Sequence, residues 1–133
     1  MASYRTREGP VTAADSFTAL TTLYGVSTTS AIQVPAGASQ IVGVIASFAS
    51  DGASNAATTF ALKLEGDGLS SGSEIMTYGA HTTDGTPAST GQNNDPFQAA
   101  VSIPCIASNQ ISVSVAMSAD SGSCEAAITL IFQ

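Results

Sequence analysis

The sequence predicts an all-β protein: an antiparallel β-sandwich of about eight strands, jelly-roll-like in number, with an N-terminal arm. Three observations carry that expectation. Val, Ile, Thr and Ala alternate in period two along most of the chain from Ala19 onward, as strands with a buried face do. Gly, Asp, Asn and Pro clusters break those runs at short intervals, as turns between strands do. The stretch Thr29–Phe48, TSAIQVPAGASQIVGVIASF, reads as a short strand, a Pro-Ala-Gly turn and a long uncharged strand. Pro35 presets φ at the turn corner and Gly37 can take positive φ, so the reversal has a mechanism.

Residues 1–18 read as the arm and 19–133 as one sandwich domain. The arm is polar with a Gly9-Pro10 break, and Thr12 before Ala13, Ala14 and Asp15 suits a helical first turn. An extended arm lying on a neighbouring subunit remains the other reading. A strand is predicted from Ala19 to Val26, followed by the hairpin Ala31–Val34 and Ser39–Ser50. In its second strand Val42, Val44, Ala46 and Phe48 share one face, and Ile41, Gly43, Ile45 and Ser47 share the other. Both faces are largely apolar, so both should be covered.

Thr58–Glu65 follows with Phe60, Leu62 and Leu64 inward, then Glu74–Thr82. Thr83–Pro96 has no periodic signal and reads as a surface or contact loop. Phe97–Ile106 comes next, and Pro104 within it implies an edge or a bulge. Gln110–Met117 and Cys124–Phe132 close the chain, the latter with Ile131 opposite the face of Ala126, Ile128, Leu130 and Phe132.

Charge is sparse, at 10% of residues, and unbalanced: three Lys and Arg against ten Asp and Glu, a net charge of −7. Arg5 and Arg7 lie in the first seven residues and Lys63 is the remaining cation. Phosphate backbones require arrays of cations, so nucleic-acid binding by the folded body is disfavoured, as are anionic membranes. Low charge and small residues suit a crowded assembly more than a free enzyme. The opening MASYRTREGP has no signal-peptide core, which points to synthesis in a cytoplasm.

No stretch spells out a catalytic chemistry. His81 is the one histidine, and it reads as a surface or satisfied core residue. Two cysteines and one histidine do not make a structural zinc set. Asp51-Gly52, Asp67-Gly68 and Asp84-Gly85 could offer carboxylates to Ca²⁺, yet Asp-Gly is foremost a turn former. No enzyme activity, cofactor or metal site is therefore expected. Tyr24, Tyr78 and the Phe residues fall on strand phases and read as core. Cys105 and Cys124 are expected as free thiols, because strands one removed in a sheet stand about 9–10 Å apart, beyond the ~7 Å reach of a bridge.

The run TTSAIQVPAGASQIVGVIAS with its Gly- and Ser-punctuated strands resembles small β-sandwich structural proteins of bacterial and archaeal viruses, the jelly-roll coat, minor-capsid and decoration proteins. That resemblance implies a non-enzymatic virion protein that forms homo-oligomers, trimers or pentamers, and contacts other capsid proteins. Candidate subunit contacts are Tyr4, Arg5 and Arg7 on the arm, with Ile41, Ile45 and Ile131 on the second apolar faces. Length and the opening Met-Ala-Ser are also similar to coat proteins of single-stranded RNA phages. Those end in helices and present basic strands, whereas this chain ends in a strand and is acidic. Two other readings stay open: a subunit of a cell-surface filament or layer, and a ligand- or carbohydrate-binding module.

Overall fold

The alternation read from the sequence buries one side of most long strands, and those sides meet in a common interior. A computed structural model describes residues 2–11, 16–50, 57–82, 92–93, 97–117 and 124–133. Among them every regular element is a strand. The long ones are β1 (Ser3–Val11), β6 (Gln40–Ser50), β7 (Ala57–Glu65), β8 (Ser73–Thr82), β10 (Phe97–Pro104), β11 (Gln110–Met117) and β12 (Cys124–Phe132). Shorter pieces are β2 (Thr18–Ala19), β3 (Thr22–Leu23), β4 (Val26–Ser27), β5 (Ala31–Gln33) and β9 (Gln92–Asn93).

Two antiparallel sheets result. One has the order β10-β6-β12-β1-β3-β4, with β9 also pairing β6; the other has the order β2-β11-β7-β8, with β5 also pairing β11. β2 and β5 occupy a single row beside β11: Thr18 and Ala19 face Val115 and Ser114, and Ala31–Gln33 face Ser112, Ile111 and Gln110. Between them the chain leaves that sheet and joins the other, where Thr22 pairs with Glu8. The strand expected over Ala19–Val26 is thus three short pieces.

Both sheets contribute to one apolar core. From the first come Val11, Ile41, Val44, Ala46, Phe48, Ile128, Leu130 and Phe132; from the second Ile32, Phe60, Leu62, Leu64, Ile111, Val113 and Val115. The rings of Phe48 and Phe60 stack between the sheets, centroids 4.0 Å apart and 11° from parallel. Burying each such side chain contributes about 1.5–3 kcal/mol.

The N-terminal segment is no arm. Residues 3–11 pair with β12 along their whole length, from Ser3↔Phe132 to Val11↔Cys124, and Gly9 and Val11 are buried. The helical turn suggested at Thr12 lies outside the described residues.

Phase along β6 also departs from strict alternation. Its pairing with β12 steps from Gly43↔Ile131 to Ile41↔Phe132, a bulge that gives Val42 no partner. One extra residue reverses the faces beyond it, so Ile41 and Val44 both point inward. A second irregularity falls on β10 between Ala100 and Ile103, beside Pro104.

Two glycines show how closely backbone and side chains approach. A Cβ on Gly68 would lie 2.8 Å from the Gln110 carbonyl oxygen and 2.7 Å from Ile111 Cγ1. One on Gly43 would lie 2.9 Å from Ile131 Cδ1, the free end of a side chain. Gly68→Ala is therefore expected to cost about 1–3 kcal/mol, the usual range for overpacking, and Gly43→Ala clearly less. Urea denaturation of both variants checks this; equal losses would contradict it.

Cys105 is a free, buried thiol. Its amide donates to the Ser39 carbonyl (2.9 Å) at one end of β6, whereas Cys124 pairs with Ser50 at the other. Some eleven residues of strand separate them, roughly 35 Å. Alkylation of the unfolded chain without reductant should label both cysteines, and a chain taking up fewer labels would contradict this register. Burial raises the Cys105 pKa. The neutral thiol is thus favoured in the fold, a contribution present below the ordinary thiol pKa and lost as pH rises through the raised value. Native alkylation of Cys105 should lag behind a free thiol at mildly alkaline pH.

Candidate functional site

The face of β1 that carries Val11 and Gly9 into the core changes character toward Ser3. Arg7 and Arg5 take the next two positions on that face, about 6–7 Å apart along the strand. Arg7 is partly buried and donates from Nε to the Thr29 carbonyl (2.8 Å), from Nη1 to that of Thr6 (2.8 Å) and from Nη2 to that of Ala31 (2.7 Å). These bonds tie the segment between β4 and β5 onto β1. Desolvation lowers the Arg7 pKa, yet a guanidinium stays protonated across the physiological range. Arg5 is exposed, and its Nη1 donates to the Tyr4 carbonyl (3.0 Å).

Beside the two arginines runs a groove of about 460 Å³, lined among others by Leu23, Ile32, Val34 and Pro35. Its accessible apolar surface comes from Leu23 and from Pro35 and Ala36 of the Pro-Ala-Gly turn, with the buried Ile32 and Val34 beneath it. Among the described residues no carboxylate pairs with either guanidinium; the ion pair present joins Lys63 Nζ to Glu65 Oε2 at 2.9 Å.

The β3–β4 hairpin borders this groove through Leu23. Leu23 pairs with Val26, so Tyr24-Gly25 is a two-residue loop, with φ of 52° and 75°. Positive φ at both positions is the requirement of a type I′ turn, which favours Asn, Asp or Gly. A bulky aromatic there is strained by about 1–3 kcal/mol. Tyr24 is also 85% exposed, with Val26 67% exposed beside it. Tyr24 therefore belongs outside the core to which its phase assigned it, because the turn, and not a strand, sets its direction.

The six predicted contact residues separate into three groups. Arg5 and Arg7 line the groove. Tyr4 is 59% exposed on the other side of β1, opposite Ile131, while Ile45 lies opposite Thr129. Ile45 and Ile131 are half-buried there, and the Thr6 and Thr129 hydroxyls share a hydrogen bond of 2.8 Å beside them. Ile41 is fully buried in the chain's own core, the consequence of the bulge at Val42, so it is not open to a second copy. The sequence reading missed Leu23, Tyr24 and Val26. The signal was the Gly directly after Tyr24 in a short apolar run, which fits a two-residue hairpin.

Among the described residues no cluster of three metal-ligating side chains occurs, and no helix is long and apolar enough to cross a membrane. Asp67 spends its carboxylate on a turn: Oδ1 accepts from the Gln110 amide at 3.0 Å. Asp51, Asp84 and the side chain of His81 lie outside the described residues. The arrangement can hold an anion beside apolar surface and can present an exposed aromatic hairpin. No protein-family model matches the chain, and no curated protein matches it.

Proposed function

We propose that this chain is a jelly-roll subunit of a virus particle, a non-enzymatic structural protein that assembles with copies of itself. The observation that carries the reading is strand order. With β2 and β5 counted as one position and the two-residue pieces β3, β4 and β9 left out of the numbering, the positions run first-eighth-third-sixth in one sheet and second-seventh-fourth-fifth in the other. That order fits a double Greek key, the arrangement of viral capsid, lectin and cupin domains, and so supports the jelly-roll reading.

Composition separates those uses. Metal-binding cupins rely on clustered ligands such as His, and this chain has one histidine; sugar stacking favours Trp, and it has none. A hairpin that holds Tyr24 exposed and at positive φ fits a contact made with a neighbour, which would recover the strain. A cation-poor body fits an outer or inter-subunit position better than the genome side.

Light scattering of the native protein tests the reading. The expected mass is a multiple of 13.2 kDa, and Tyr24→Asn should weaken assembly while leaving the fold as stable or more so, since Asn accepts the turn conformation. A 13.2 kDa monomer at all concentrations would overturn self-assembly.

A further inference from the structure

The chain carries ten acidic side chains and three Lys and Arg. Two of those three cations stand on one face of β1 and line one groove. Like charges at that spacing repel, and no carboxylate among the described residues offsets either. Three backbone carbonyls satisfy hydrogen bonds of Arg7, but neutral acceptors leave its charge in place. Arg5 spends one donor on its own neighbour's carbonyl, which leaves most of its five N–H donors available to a planar acceptor.

We infer that this groove receives the carboxylates of an acidic segment from a second copy of the chain, with Arg7 as the fixed anchor and Arg5 as the adjustable one. Charge complementarity selects that occupant. A net charge of −7 means that the surface of any other copy is acidic, and like-charged copies need a local positive site to approach one another. A polyanion such as nucleic acid would meet two cations and repulsion from the remaining carboxylates. The partly exposed apolar surface of Leu23, Pro35 and Ala36, and a volume of about 460 Å³, accommodate a short extended segment beyond the carboxylate itself. The inference rests on the self-assembly reading and gives it a contact.

Sedimentation velocity on the full chain tests it, comparing wild type with Arg5→Glu at salt from about 50 to about 500 mM, where screening shortens from beyond 10 Å to a few Å. Arg5 is exposed, and its one hydrogen bond is to the adjacent residue, so the far-UV circular dichroism spectrum should be unchanged. Association of wild type should weaken roughly tenfold across that salt range, and Arg5→Glu should weaken it by a similar factor at low salt and remove most of the salt dependence. If Arg5→Glu assembles like wild type with the same salt dependence, the groove is not the contact, while self-assembly stands. A wild-type monomer at every salt concentration would overturn both. If free glutamate or inorganic phosphate raises the wild-type melting temperature but not that of Arg5→Glu, and assembly is the same in both, the groove takes a small anion and the second-copy assignment falls.

Discussion

Val44→Asp is expected to leave no folded protein. Val44 has 0% exposure and sits mid-sheet, paired with Leu130 on one side and Ala99 on the other. Its loss removes about 1.5–3 kcal/mol of apolar burial. The carboxylate that replaces it must then be buried without a partner or held protonated, at a further cost of several kcal/mol. Together these approach the whole stability of a small domain, about 5–15 kcal/mol. Ile45→Asp is the control, because Ile45 lies half-buried on the outer face; it should fold, with a modest loss. Circular dichroism and urea denaturation of the two variants give the comparison. Soluble Val44→Asp with the wild-type spectrum would contradict the core described here.

Deletion of residues 2–11 should abolish the β signal as well. The segment pairs with β12 over nine positions, places Val11 in the core and carries the Arg7 bonds to Thr29 and Ala31. Without it β12 becomes an open edge and the core is exposed beneath. A truncated chain that keeps its spectrum and its melting temperature would show that β1 is dispensable.

Much of the fold was legible because the interior selects period two so strongly. Gln110–Met117 and Cys124–Phe132 end where the sequence reading placed them, since each carries an apolar residue at every second position between clear turn residues. β1 was not legible for an equally physical reason. Its inner positions toward Ser3 are Arg5 and Arg7 where core residues would alternate, and Gly9-Pro10 reads as a break although both residues are paired in the strand. Ile41 was assigned to the wrong face because one unpartnered residue, Val42, reverses the phase, and a bulge leaves no mark in hydrophobicity. The groove was beyond sequence reasoning altogether. It needs β1, β3 and β5 brought together, and the pairing of Glu8 with Thr22 that does so joins distant polar residues.

The proposed self-assembly through the groove and hairpin end of the fold is tested most directly by electron cryomicroscopy of the purified protein. The prediction is a closed, symmetric assembly in which Tyr24 and Val26 are covered by a neighbouring copy and an acidic side chain from that neighbour meets Arg5. An assembly with the β3–β4 hairpin and the groove open to solvent, or a field of single 13.2 kDa chains, would contradict it.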